Sequence, residues 1–181
     1  MEPGEMWQAF ALLILLFLSA FFSASESALM SLSKIRLRHM VDEKVKGADT
    51  VNKLVENSSK LLGAILVANN IINIGASALA TTLAINRFGN AGAGIATGVM
   101  TLLVLIFGEI TPKSLAVQNS EKMALKVAKP ISIITIFLSP IVKILMYVTN
   151  FLTRLLGGDP DKQNTFITEE ELKTMVDVSH E

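Results

Sequence analysis

The sequence predicts an all-α integral membrane protein with three transmembrane helices and short juxtamembrane helices on the cytoplasmic side. Apolar residues make up 51% of the 181-residue chain and are gathered into long runs. A run of about 20 apolar residues is long enough to cross a bilayer as a helix. Charged residues lie mainly between the runs, and polar side chains inside the runs recur at helical spacing. The expected transmembrane domain covers residues 1–157.

The first predicted span covers residues 6–32. A secretory signal would begin with a positively charged region, whereas residues 1–5 contain Glu2 and Glu5 but no Lys or Arg. The apolar run is also too long for a signal, so we expect a permanent membrane helix. Its second half carries a polar face, which comprises Ser19, Ser23, Glu26 and Ser27.

The segment 34–58 predicts two short amphipathic helices on the membrane surface. Basic side chains are interleaved with acidic ones, and apolar residues recur at helical spacing on both sides of Gly47. Because loops rich in Lys and Arg remain in the cytoplasm, this segment predicts a cytoplasmic position for itself and an outside position for the N-terminus. The same basic surface is expected to contact lipid headgroups.

The second predicted span covers residues 61–86, and its polar face is formed by Asn69, Asn73 and Ser77. A short polar turn separates it from the third span, residues 91–112. The third span ends in the sequence FGEITPK at 107–113. Lysines follow this sequence and place that end of the span in the cytoplasm.

The end of the third span carries the strongest chemical signal in the chain. An ionisable side chain such as Glu109 is costly in a bilayer and indicates function. Pro112 has no N–H group, so in an α-helix the carbonyl of Gly108, four residues earlier, loses its hydrogen-bond partner. A carboxylate and a free backbone oxygen are the kind of ligand that hard cations such as Mg²⁺ prefer.

Residues 130–156 are long enough to span the membrane, but Pro140 and Lys143 lie in their middle. A lysine at the bilayer centre costs about 3 kcal/mol on insertion scales. We therefore expect two short helices, bent near Pro140, that lie at the cytoplasmic interface or against the spans, with a cytoplasmic C-terminus.

Residues 158–181 predict a polar linker and the start of a cytosolic helix. Thr168 and Glu171 have the spacing of a capping box, which marks the beginning of a helix. We expect a soluble cytosolic domain to follow in the full-length protein.

Polar groups of the three spans are expected to form a shared pocket of oxygen atoms. With a rise of about 1.5 Å per residue, Ser23 and Asn69 lie at similar depths, roughly 15 Å from the lysines that flank their helices. Glu109 lies nearer the cytoplasm, within reach of this level if its side chain extends or the helix bends at Pro112. Such a pocket suits a cation that has lost all or part of its water.

Simpler explanations remain open for each of these side chains. A serine in a membrane helix often bonds to its own backbone, and an asparagine often joins two helices, so neither Ser23 nor Asn69 alone indicates a site. Glu109 can pair with Lys113 one turn later, and Glu26 can pair with a basic residue or remain protonated. Polar faces on all three spans are harder to explain by packing than any one of them.

Three stretches of the chain resemble the signature sequences of the CorC/CNNM family membrane domain. They are FSASESAL at 22–29, VANNIIN at 67–73 and FGEITPK at 107–113, in the same order and with similar spacing. The segment ITEEEL at 167–172 resembles the helix that leads into the paired CBS domains of that family. The resemblance covers essentially the whole chain.

The resemblance implies a homodimeric Mg²⁺ transporter of the cell membrane, which exports Mg²⁺ in exchange for Na⁺ and carries cytosolic CBS domains in its full-length form. It implies a cation site formed by the serine, asparagines and glutamate of the three motifs, which are Ser23, Asn69, Asn73 and Glu109. To these residues we add the Gly108 carbonyl and Ser27, which lies one turn after Ser23.

Two classes of function fit these observations. The first is transport by alternating access, with Mg²⁺ as the transported ion and Na⁺ as the driving ion; Glu26 is then a candidate for a Na⁺ site or a gate. The second is a non-transporting Mg²⁺ sensor or membrane scaffold. An enzyme is not expected, because no nucleophile is paired with a base and both histidines lie outside the spans. A net charge of zero gives no basic surface for nucleic acid.

Overall fold

The computed structural model describes residues 3–157, which form helices joined by short turns. The helices are α1 (Pro3–Met30), α2 (Lys34–Asp42), α3 (Ala48–Glu56), α4 (Ser58–Phe88), α5 (Gly92–Leu103), a π-helical segment (Val104–Ile110), α6 (Thr111–Gln118) and α7 (Ser120–Leu155). A 3-10 turn, Gly89–Ala91, joins α4 to α5. The all-α prediction is confirmed for this part of the chain. The predicted linker and capping box at 158–181 lie outside the described residues.

The helical membrane class is also confirmed, with one difference in the number of candidate spans. By length and composition, the described residues contain four helical stretches that are able to cross a membrane, namely Met6–Met30, Ser58–Phe88, Gly92–Gln118 and Ser120–Leu155. We expected three. The third stretch is continuous through the π-helical segment, and the fourth is α7.

Helix α7 corrects the expectation of two short helices bent near Pro140. It runs as one helix of 36 residues with both Pro130 and Pro140 inside it. A proline removes one backbone donor, but membrane helices tolerate this because neighbouring groups and small backbone adjustments satisfy the freed carbonyl. Packing supports the helix as well, since Ile131 and Val142 are fully buried among apolar side chains.

Helices α1 and α4 are antiparallel and form the centre of the compact unit that ends at Val142. Leu12 of α1 lines the same apolar cavity as Ala80 of α4, whereas Ser19 contacts Asn69, which lies three turns earlier in α4. The end of α1 and the beginning of α4 therefore meet beside Lys34 and Lys60. We call this the basic end of the bundle.

The main apolar core lies at the basic end, where α1, α4 and α7 come together with α2 and α3. Leu29 and Leu61 are completely buried there, together with the small residues Ala28, Ala64 and Ala124. Small side chains allow the helix backbones to approach closely. A Cβ placed on Gly63 of α4 would lie only 2.8 Å from Cγ1 of Val142 in α7.

Helices α2 and α3 occupy the segment 34–58, where we expected two short amphipathic helices. Each helix buries one apolar side and leaves its charged side exposed, with Leu37 buried in α2 and Val51 in α3. Gly47 connects them with a φ of 96°, a left-handed conformation that glycine adopts without a steric penalty. An ion pair of 2.8 Å between Arg36 and Glu121 joins α2 to α7.

Candidate metal site

A hydrogen bond between α1 and α4 marks the centre of the candidate site. The Ser19 hydroxyl donates to Asn69 Oδ1 over 3.2 Å, and Ser19 is 1% exposed. Asn69 therefore does what asparagines often do in membrane helices, which is to join two helices. Because the helices are antiparallel, the next polar residues, Ser23 on α1 and Asn73 on α4, extend this contact in opposite directions along the bundle.

Ser23 and Asn73 each bury an oxygen atom that has no hydrogen-bond partner within the described residues. Ser23 is completely buried, and yet its hydroxyl does not bond to its own helix backbone. Ser25, two residues later, makes that bond instead, to the carbonyl of Phe21 at 2.6 Å. Leaving a buried polar group without a partner costs about 1–3 kcal/mol. A ligand that interacts with these two oxygens would remove this cost.

The π-helical segment approaches the same place from the third candidate span. Gly108, within this segment, is buried, and a Cβ added to it would lie 3.0 Å from Ser19 Oγ. A side chain here would displace the Ser19 hydroxyl by a few tenths of an ångström, so glycine lets the segment approach the Ser19–Asn69 pair without that shift. The structure thus brings α1, α4 and the beginning of the FGEITPK motif together at Ser19.

The π-helical hydrogen bonding changes the expected effect of Pro112. The last bond of this segment runs from the Thr111 N–H to the Ile106 carbonyl, five residues back. Pro112 follows without a donor, which ends the π register as α6 begins. An N–H group at position 112 would bond to the Phe107 carbonyl in the π register and to the Gly108 carbonyl in the α register. The α-helical expectation of a free Gly108 carbonyl is therefore incomplete, because the π register adds the Phe107 carbonyl.

Glu109 is half-buried, and within residues 3–157 it forms no ion pair or side-chain hydrogen bond. Lys113, the partner that the sequence offered one turn later, instead lies with its Nζ atom 3.4 Å from Oε2 of Glu26. The glutamate of the motif therefore keeps its carboxylate free for another ligand. Glu26, at the basic end of α1, has a counter-ion of its own.

Ser27 lies two turns from Ser19 toward the basic end and is half-buried. Its side chain makes no hydrogen bond to the described residues, so none links it to Asn69 or Glu109. The predicted ligands thus divide into two groups. Asn69 and Gly108 touch Ser19 directly, whereas Ser23, Asn73, Ser27 and Glu109 lie around this contact without bonding to one another.

Ser19 is a residue of the site that the sequence prediction does not include. The sequence places it on the polar face of α1 but does not distinguish it as a site residue. The spacing of four residues between Ser19, Ser23 and Ser27 was the available signal, because it places all three on one side of the helix.

The chemistry of the site is that of neutral and anionic oxygen. Hydroxyl, amide and carboxylate oxygens are the ligands of hard cations such as Mg²⁺ and Na⁺. In the described part of the chain, no three His, Cys, Asp or Glu side chains are grouped in a way that could hold a metal ion, so a soft-metal or zinc-type centre is not formed by these residues.

A known family of membrane domains matches nearly the whole chain. Residues 10–181 match the family described as the cyclin M (CNNM) transmembrane N-terminal domain. The chain is 39% identical over 165 residues to a UPF0053 protein of Haemophilus influenzae, covering 91% of this chain and 39% of that protein.

Two further relatives come from a second bacterium and a plant. The chain is 38% identical to the UPF0053 inner membrane protein YfjD of Escherichia coli, covering 88% of this chain and 37% of that protein. It is 34% identical to a chloroplastic DUF21 domain-containing protein of Arabidopsis thaliana, covering 93% of this chain and 26% of that protein. The chain therefore spans about two fifths or less of the length of these relatives. With its multiple apolar helices and a match over nearly its whole length, the chain is a multi-pass membrane domain that belongs to the CNNM transmembrane family.

Proposed function

We propose that this domain binds Mg²⁺ between α1, α4 and the π-helical segment and moves it across the membrane. One observation carries the proposal: two buried oxygens without partners, on Ser23 and Asn73, flank the interhelical contact of Ser19 and Asn69. A bound cation is the natural partner for such oxygens, since it interacts with lone pairs that no N–H or O–H group satisfies.

The ligand set fits a partly hydrated ion. Mg²⁺ prefers six oxygen ligands at about 2.1 Å and gives up its water reluctantly. Ser23 and Asn73 lie about two helical turns apart along the bundle, so they would serve successive positions of the ion. Asn69 and the carboxylate of Glu109 add further oxygens, and retained waters complete the shell at each position. Ser27 and the Gly108 carbonyl are further ligands at the margin of the site.

The export direction that the family resemblance implies is part of the proposal, with the basic end of the bundle on the cytoplasmic side. Lys34, Lys60 and Lys113 mark the ends of three candidate spans, and the excess of positive charge favours the cytoplasm. The N-terminus is then outside, the C-terminus is cytoplasmic and the site receives Mg²⁺ from the cytoplasm. Export against the membrane potential requires a driving ion, and we propose Na⁺, with Glu26 as a gate or Na⁺-binding residue.

A homodimer is part of the same proposal. Gly75, Gly94 and Gly98 have open space in place of a side chain, which leaves room for close helix packing against a second copy. Large apolar side chains elsewhere on the spans are exposed and suit contact with lipid tails. The CBS domains expected in the full-length protein would regulate transport from the cytoplasmic side.

Flux measurements in proteoliposomes test the proposal. The full-length protein is reconstituted with a trapped Mg²⁺ indicator, and Mg²⁺ movement is followed with and without an opposing Na⁺ gradient. We expect flux that the gradient accelerates, loss of flux in Glu109→Gln, and unchanged flux in Glu43→Gln, a matched change at an exposed carboxylate of the basic end. Mg²⁺ binding without flux in either direction would instead support the non-transporting sensor.

A further inference from the structure

A polar cavity lies at the basic end, away from the candidate metal site. It has a volume of about 360 Å³ and lies between α3, the beginning of α4 and the middle of α7. Its polar lining consists of Thr50, Lys53, Asn57, Lys60, Ser132 and Thr135. No residue of the candidate metal site lines it.

Two lysines give this cavity a positive charge that is not neutralised. Within the described residues, neither Lys53 nor Lys60 forms an ion pair, whereas Arg36 and Lys113 each pair with a glutamate. Helix α3 carries two acids, Asp49 and Glu56, and neither of them forms an ion pair with Lys53 or Lys60; Glu56 accepts a hydrogen bond of 2.7 Å from Asn52. The charge of the cavity is therefore available to an anion.

The N-terminus of α4 lies beside the same cavity, which Asn57 and Lys60 line. Asn57 precedes this 31-residue helix, but its side chain does not cap the helix. Its Nδ2 atom donates instead to the Lys53 carbonyl over 3.3 Å. The first N–H groups of α4 are thus left without a side-chain acceptor, and the N-terminus of a helix favours negative charge.

Thr135 supplies an independent indication of a missing ligand. It is 6% exposed, and its hydroxyl oxygen has no hydrogen-bond partner among the described residues. Other threonines in these helices bond to the carbonyl four residues earlier; they are Thr81, Thr82, Thr97 and Thr101. Thr135 lines the cavity and does not make that bond.

We propose that this cavity binds a phosphate group at the membrane surface. Two lysines, free helix N–H groups and a buried hydroxyl are the donors that recognise a phosphate monoanion or dianion. Lys60 directly precedes the apolar run that begins at Leu61, so the cavity lies at the level of lipid headgroups. The phosphate belongs either to an anionic phospholipid or to a soluble phosphate, and the two sources can be separated by experiment.

Thermal unfolding of the purified protein in a nonionic detergent tests this site. The midpoint Tm is measured with added phosphatidylglycerol, phosphatidylcholine or inorganic phosphate at constant ionic strength. We expect phosphatidylglycerol to raise Tm and phosphatidylcholine to have no effect. With Lys60→Gln, the same rise in Tm should require a phosphatidylglycerol concentration about ten times higher. This is the effect expected for loss of one charge-assisted hydrogen bond.

Thr135→Val separates binding from folding. Because this change removes a buried hydroxyl without a partner, it should raise Tm in the absence of ligand while it weakens the response to phosphatidylglycerol. Lys122→Gln, at an exposed lysine of α7 outside the cavity, should respond as the unmodified protein does. A response to inorganic phosphate as well would identify a soluble phosphate as a ligand. The proposal is overturned if neither probe raises Tm, or if all three variants respond alike.

Discussion

The Nζ atom of Lys113 lies 3.4 Å from Oε2 of Glu26, so an ion pair joins the basic end of α1 to α6. Both side chains are about two fifths exposed, at 42% for Lys113 and 37% for Glu26. An ion pair of this exposure contributes about 0.2–1 kcal/mol to stability. Its position is more informative than its strength, because it holds the residue that follows Pro112 against the polar face of α1.

Reversal of this ion pair distinguishes a structural role from ion binding. Glu26→Lys and Lys113→Glu should each reduce Mg²⁺ flux, because each places like charges together. If the pair only holds the helices, the double variant Glu26→Lys/Lys113→Glu should restore most of the flux. If Glu26 binds Na⁺ directly, the double variant should remain inactive, since the carboxylate is then on the wrong helix.

Ser23 and Asn73 should be required for Mg²⁺ binding but not for folding. Ser23→Ala removes a buried oxygen that has no partner, so the stability without Mg²⁺ should stay the same or rise. The unmodified protein should gain about 2.7 kcal/mol at a Mg²⁺ concentration 100 times Kd, and Ser23→Ala and Asn73→Leu should lose this gain. Thermal unfolding at increasing Mg²⁺ concentrations measures this gain in stability for each variant.

Ser25→Ala is the matched control for this measurement. Ser25 is as fully buried as Ser23 and lies on the same helix, but its hydroxyl is occupied by the Phe21 carbonyl. Its substitution should therefore leave the Mg²⁺ response intact. Equal responses from Ser23→Ala and the unmodified protein would mean that Ser23 belongs to the packing of α1 alone.

The close approach of Gly108 to Ser19 predicts a specific pattern of coupling. Gly108→Ala would place a Cβ 3.0 Å from Ser19 Oγ, and overpacking of this kind costs about 1–3 kcal/mol. Ser19→Ala removes the crowded oxygen and its hydrogen bond to Asn69. In the Ser19→Ala background, Gly108→Ala should therefore cost much less. Additive losses of stability would contradict the contact between the π-helical segment and α1.

The spans and the short surface helices were predictable from sequence because they depend on local properties. Runs of apolar residues set the length of α1 and α4, and the charged stretch between them could only lie at a surface. Helix α7 was less predictable. Pro140 and Lys143 argue locally for a break, whereas burial of Ile131 and Val142 against other helices supports one continuous helix. That burial is a tertiary property.

The residues of the candidate site were predictable from sequence, but the contacts between them were not. Spacings of three and four residues identified its oxygens. The sequence did not reveal that Glu26 pairs with Lys113, because several basic residues lie within reach of it. The π register of Val104–Ile110 was also hidden, since one extra residue in a turn leaves no mark on apolar periodicity over so short a segment.

The orientation of α7 can be tested by labelling, because the chain contains no cysteine. Single cysteines are placed at Phe88, Asn119 and Leu156, which are all exposed, and intact cells are treated with a membrane-impermeant maleimide. We expect labelling at position 88 only, with 119 and 156 labelled after the membrane is opened. Labelling of position 156 in intact cells would show that α7 crosses the bilayer and that the C-terminal end lies outside.

Substitution of Pro112 tests whether backbone oxygens take part in ion binding. Pro112 follows the π-helical segment within one continuous helical stretch, so Pro112→Ala restores a backbone donor and should leave the stability unchanged or raise it. The new N–H group would bond to the carbonyl of Phe107 or Gly108 and withdraw that oxygen from a cation. Mg²⁺ affinity should then fall about tenfold, the effect of losing roughly 1.4 kcal/mol of binding. Pro140→Ala in α7 also restores a donor, but far from the motif in sequence, and should leave the affinity unchanged. If Pro112→Ala binds Mg²⁺ as tightly as Pro140→Ala, the proline serves to end the π register, and the cation is held by side chains alone.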